Sequence, residues 1–204
     1  RYMLTAVPLV IILCVSTLRR RVRGWPALIA LLCGAFLLAL FVNPPHRFPM
    51  EDNLAYRDYV LLHKAAAGFV SSRHATSRVL TAWPAADELQ KPYLGYVKSA
   101  VPVVPVENFS ASQMARAARD TSLFDLAYVF STKYEASAQP ALLSRWERLQ
   151  EPFFDYHRDL PPELVARALG GRIVWRQERN GQWAAVIVTE RTENAKWVDT
   201  HLGP

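Results

Sequence analysis

Residues able to do acid–base, nucleophilic or metal chemistry are spread thinly along this 204-residue chain. Its five histidines, His46, His63, His74, His157 and His201, are scattered, and no two have the spacing of metal ligands. Both cysteines, Cys14 and Cys33, fall inside apolar runs, where a thiol serves as a small hydrophobe. There is no Gly-x-Gly-x-x-Gly, no phosphate loop closing on Gly-Lys-Ser/Thr and no Gly-x-Ser-x-Gly elbow. His157, within Asp155-Tyr-His-Arg-Asp159, has the neighbours of an acid–base centre, but a charged turn before Pro161-Pro162 explains it more simply. No catalytic residue and no metal ligand is assigned on this reading.

What does gather is a set of aromatic, amide and carboxylate side chains at the ends of strand-like runs. Trp83 stands with Asp87 and Glu88, Glu107 with Asn108, and Ser131-Thr132 with Lys133, Tyr134 and Glu135. Open α/β sheets bind ligands beyond the carboxyl ends of their strands. An aromatic face beside carboxylates and amides suits sugar stacking or peptide contact. The binding candidates are therefore Trp83, Asp87, Glu107, Asn108, Lys133, Tyr134 and Glu135. The plainer alternative gives Asp87 and Glu88 to a helix N-terminus and Lys133 to a solvated loop. Asn108-Phe109-Ser110 also matches a glycosylation acceptor, though Ser110 doubles as a helix cap.

The elements that position these residues follow from pattern and punctuation. Asn53 caps a helix reaching about residue 72, with Tyr59, Leu62, Ala66 and Phe69 on one face. Residues 78–83 read as a strand, Pro84 opens a helix over 85–90, and 101–106 form an edge strand because Pro102 and Pro105 cannot donate. Ser110 starts a helix to about 118, and 124–130 are apolar enough for a strand covered on both faces. Helices are expected over 142–150 and 162–169, the latter ended by Gly170-Gly171. Asn180-Gly181 between two β-rich runs is a hairpin signal. The expected fold is an α/β domain, with a partly parallel sheet, helices on both faces and a C-terminal β-hairpin.

Ahead of this domain the composition changes. The formal net charge is +6, yet residues 1–45 hold five arginines and no acid, leaving 19 basic against 18 acidic residues beyond. Basicity confined to one short segment argues against nucleic acid as a partner. Residues 2–18 and 25–42 carry no charge, and Arg19, Arg20, Arg21 and Arg23 lie between them. Two transmembrane helices with a cytoplasmic basic loop over 19–24 are expected, Asn43-Pro44-Pro45 ending the second. That places 46–192 outside the cytoplasm as the α/β domain, with a polar tail over 193–204 and the lipid bilayer as a partner. The chain begins at Arg1 with no initiator methionine, as a piece of a longer protein would.

This arrangement resembles the C-terminal portion of bacterial multi-pass glycosyltransferases of the GT-C type, which use polyprenyl-phosphate sugars. It is similar in organisation to protein mannosyltransferases and the lipid A aminoarabinose transferase. The resemblance is carried by Glu51-Asp-Asn-Leu-Ala-Tyr-Arg-Asp-Tyr59, by Val79-Leu-Thr-Ala-Trp-Pro-Ala-Ala-Asp-Glu-Leu89 and by Val129-Phe-Ser-Thr-Lys-Tyr-Glu135. It implies an inner-membrane enzyme that transfers a sugar from a lipid-linked donor to an acceptor on the outer face. The acidic residue serving as base would lie in a first outer loop far upstream of Arg1, and cationic groups or a divalent metal in the full-length enzyme would hold the donor phosphate. Residues 46–204 would then be a non-catalytic domain that caps the site or selects the acceptor, with no cofactor of their own. The rival expectation is a membrane-anchored extracytoplasmic binding or assembly module without enzymatic activity.

Overall fold

In the computed structural model, which describes residues 6–43, 53–134 and 159–189, the chain divides into two compact units between Asn43 and Pro44. The first unit holds α1 (Val7–Arg21) and α2 (Trp25–Phe41), each with a proline in its opening turn, where the missing N–H is not needed. Arg19, Arg20 and Arg21 form the last turn of α1, where cations suit the negative end of the helix dipole. Arg23 lies in the turn between the two helices.

The expectation of two transmembrane helices is overturned. Among the described residues no helix is long and apolar enough to cross a membrane. Counting uncharged letters overstated both helices. The arginines are part of α1, which leaves only Val7 to Leu18 uncharged, about 18 Å of helix. α2 has 17 residues and ends before the extended Val42, spanning about 26 Å against a hydrocarbon core about 30 Å thick. The membrane reading of 1–45 is corrected accordingly, and the sidedness argued from Arg19, Arg20, Arg21 and Arg23 loses its premise.

The second unit contains α3 (Ala55–Arg73), β1 (Val79–Ala82), α4 (Ala85–Gln90), β2 (Val103–Val106), α5 (Ala111–Ala117), β3 (Leu126–Phe130), α6 (Pro162–Ala168), β4 (Gly171–Arg179) and β5 (Gln182–Thr189). The strands form one mixed sheet in the order β2-β1-β3-β5-β4. β1 runs parallel to β2 and β3, while β5 is antiparallel to both β3 and β4. Every residue of the central β3 is buried, whereas β2, with Pro105, lies at an edge that tolerates a missing donor. Asn180 and Gly181 adopt φ of 45° and 80°, the two positive values that a two-residue hairpin turn demands.

Pleating sorts the two faces. Tyr128, Val186 and Trp175 are register partners and share one side. There α3 packs, Phe69 stacking on Trp175 at 5.9 Å and His63 meeting Tyr128 at 5.7 Å. Val129, Ala185 and Arg176 share the other side, where Arg176 pairs with Glu163 of α6. Two polar ties set the ends of the sheet. Arg78, just before β1, donates its backbone N–H (2.8 Å) and its guanidinium (3.2 Å) to Asp125, just before β3. The hairpin is held to the start of α3 by Asn180 Nδ2 on Asp58 (2.6 Å) and Gln182 Nε2 on the Ala55 carbonyl (2.8 Å). The helix expected over 142–150 and the tail over 193–204 lie outside the described residues.

Candidate functional site

From β1 the chain crosses to β2 on one side, then returns past β1 to β3 on the other. This reversal of strand order makes the carboxyl ends of β1 and β3 a switch point, the place where open α/β sheets form a ligand crevice. Trp83 follows β1 directly, and 71% of its surface is exposed. A cis peptide joins it to Pro84, the N-cap of α4. An indole turned out to solvent at this position forgoes burial that a core would reward, so it is available for stacking.

The other candidates divide. Asp87 turns to Lys91 one helical turn on, at 2.9 Å, and the attached carboxylate raises the pKa of that ammonium group. Glu107 accepts from Gln113 Nε2 at 2.6 Å, and Asn108 Oδ1 closes a local turn onto the Ser110 N–H at 3.0 Å. Ser110 occupies the N-cap of α5, but its hydroxyl meets Ser112 Oγ at 3.1 Å and caps no backbone N–H. Lys133 and Tyr134 are half-buried in the loop after β3. Glu135 lies outside the described residues, as do His46, His157 and His201. The structure therefore places Trp83, Lys133 and Tyr134 at the switch point and engages Asp87, Glu107 and Asn108 in local hydrogen bonds.

Asp159 ties the rim together. One carboxylate oxygen accepts from the Phe109 N–H at 3.0 Å and the other from the Thr132 hydroxyl at 2.5 Å, while Leu160 donates to the Phe109 carbonyl at 2.9 Å. The loops after β2 and β3 are thereby clasped on either side of β1. Sequence reading gave Asp159 only to a charged turn, because its partners lie 50 and 27 residues away.

A second cluster, missed in the sequence, lies under α3 and α4. His63 Nδ1 and Glu88 Oε2 are 2.7 Å apart, with only 1% and 5% of the two residues exposed. Tyr59 lies against the His63 ring at 4.0 Å and Tyr56 stacks on Tyr59 at 6.0 Å. Burial, reinforced by the Glu88 carboxylate, pushes the Tyr96 phenol up to about 12 and raises that of the fully buried Tyr128 well above its ordinary value. The cluster leaves two buried polar atoms without a hydrogen-bond partner, His63 Nε2 and the Tyr128 hydroxyl. The signal in the sequence was faint: a lone histidine on a helix and an acid 25 residues later in the first turn of another.

Among the described residues no group of three or more histidine, cysteine or acidic side chains is placed to hold a metal ion. Compared with family models, with curated proteins and with solved structures, the chain matches none. The likeness to polyprenyl-phosphate glycosyltransferases therefore rests on the quoted phrases alone.

Proposed function

We propose that the α/β unit is a non-catalytic binding module that takes a saccharide at the carboxyl ends of β1 and β3. The observation that carries this reading is the exposed indole of Trp83 at the switch point. Lys133 and Tyr134 stand at the neighbouring strand end, where hydroxyl groups of a stacked sugar find polar partners. The Asp159 clasp supports it further, since a rim with its loops tied loses less freedom when ligand arrives. In the sugar-transfer setting that the resemblance implies, such a module selects the acceptor while other parts of a longer protein perform the transfer.

Tryptophan emission reports on this directly. Titrating the chain with maltose or mannobiose is expected to shift or quench part of the emission, and Trp83→Ala is expected to abolish that part while leaving the far-UV circular dichroism unchanged. Emission indifferent to both sugars at high millimolar concentration overturns the saccharide reading.

A further inference from the structure

The two edges of the sheet are guarded unequally. β2 is four residues long and carries Pro105, with Pro102 just before it, so it offers few donors to another strand. β4 is nine residues long and holds no proline, and among the described residues no strand pairs with its outer side. A bulge between Ile173 and Trp175 interrupts its register, which leaves 175–179 as the regular stretch of open edge. Such an edge, with its outer backbone groups unpaired, is a template for another strand.

The hairpin turn fixes which backbone groups point outward. Asn180-Gly181 is a two-residue loop, so its flanking pair, Arg179 and Gln182, exchanges hydrogen bonds between β4 and β5. Alternation then aims the N–H and C=O of Gln177 and Trp175 at β5 as well, and those of Arg176 and Glu178 away from the sheet. The side chains alternate in step. Arg176 and Glu178, through their register partners Ala185 and Trp183, stand on the α6 side, and Trp175, Gln177 and Arg179 on the α3 side. The two residues with outward backbone groups thus carry opposite charges, and both side chains are exposed.

We propose that β4 pairs antiparallel with β4 of a second copy of this chain, joining the two sheets edge to edge about a twofold axis at Gln177. In that register Arg176 lies opposite Glu178 of the second copy, and Glu178 opposite its Arg176. The outward N–H and C=O groups then meet in hydrogen-bonded pairs, and unlike charges face each other on the same side. Arg176 already bridges Glu163 and Glu178 of its own chain, so the pairing extends an existing charge cluster. Arg179, whose Nε makes no hydrogen bond, falls opposite the Trp175 indole of the second copy. A shift of one residue sets outward backbone groups against groups already bonded to β5. A shift of two sets Arg176 against Arg176, or Glu178 against Glu178. The edge is therefore complementary to itself in one register, which is what a twofold interface requires.

Sedimentation velocity of the full chain is expected to show a concentration-dependent dimer in the micromolar range. Glu178→Arg turns both Arg176–Glu178 contacts into repulsions and is expected to weaken dimerisation at least about tenfold, with the circular dichroism unchanged. Arg176→Glu is expected to weaken it likewise, and an equimolar mixture of the two variants to recover dimer, because unlike charges face each other again in the mixed pair. Cross-linking in a Cys14→Ser, Cys33→Ser background reads the register and stays decisive if Arg176→Glu fails to fold. The two copies of residue 177 meet at the axis with Cα atoms about 4.5 Å apart, so Gln177→Cys is expected to form an intermolecular disulfide. Arg179→Cys, on the same face but away from the axis, is expected to form none. Association that Glu178→Arg leaves unchanged would run through the apolar α1 and α2 instead. A monomer that does not cross-link through Gln177→Cys would have this edge filled by the tail beyond Thr189 or by another protein. Either result overturns the proposal.

Discussion

Asp159 and Glu88 are both carboxylates near the carboxyl ends of the parallel strands, yet their surroundings differ in kind. Asp159 is half-buried and spends its two oxygens on the Phe109 N–H and the Thr132 hydroxyl, joining two loops. Glu88 is almost wholly buried and bonds to His63 Nδ1 and the Tyr96 phenol, while His63 Nε2 and the Tyr128 hydroxyl nearby have no partner. A fold that needs a polar clasp completes its hydrogen bonds, because each donor or acceptor left unmade in the interior costs free energy. The clasp is therefore architecture, and the orphaned His63 Nε2 and Tyr128 hydroxyl mark where the interior is least completely bonded.

The widest separation of the two clusters is expected in stability. Glu88→Ala removes one member of a buried pair and strands the His63 ring, at a cost of about 3–5 kcal/mol. The double variant His63→Phe with Glu88→Leu replaces both partners by apolar groups of similar reach, and it is expected to cost less than Glu88→Ala alone. Urea denaturation of the three proteins reads this out. A double variant worse than the single one would mean that the pair is held for its own attraction, which would erase the contrast with Asp159.

A smaller loss is expected at the clasp. Asp159→Ala leaves the wholly buried Phe109 N–H and the Thr132 hydroxyl without their acceptor, and only Thr132, which is half-buried, is within reach of water. The expected destabilisation is about 1–3 kcal/mol, with amide protection lost first at Phe109. Asp159→Asn keeps one acceptor oxygen and is expected to lose less. Hydrogen exchange that leaves Phe109 as protected as before would show that the backbone bridge between Ser110 and Asp159 holds the loops without the carboxylate.

How far the sequence foretold these sites follows from the distance over which each signal acts. Asn180-Gly181 needs only its own two residues to announce a turn, and five consecutive apolar residues, 126–130, announce a buried strand. Trp83 was legible because strand ends are legible. His63 and Glu88 were not, since their meeting depends on α3 and α4 lying on the same face of the sheet, which no local spacing records. The N-terminal unit shows the opposite failure. A run of uncharged letters does not measure a helix, because a helix ends where its hydrogen bonds end. In α1 that point includes the arginines, and in α2 it excludes Val42.

Alkaline titration offers the subtlest discrimination, because the cluster beside Glu88 holds phenols whose ionisation burial delays. An unfolded tyrosine ionises near pH 10, whereas burial and Glu88 hold the Tyr96 phenol to about 12 in the fold. The folded state therefore keeps a proton that the unfolded state gives up first. The associated stability is fully present below about pH 10 and is lost as pH rises through about 12, with Tyr128 shifted in the same direction. Because Tyr96 is partly exposed, solvent screens it and the effect of that residue alone is modest. Tyr96→Phe, which removes the ionisable hydroxyl and its hydrogen bond to Glu88, is expected to lower the urea midpoint near neutrality and to flatten part of its alkaline decline. An alkaline decline identical in both proteins would place the Tyr96 hydroxyl in open water, away from the Glu88 carboxylate.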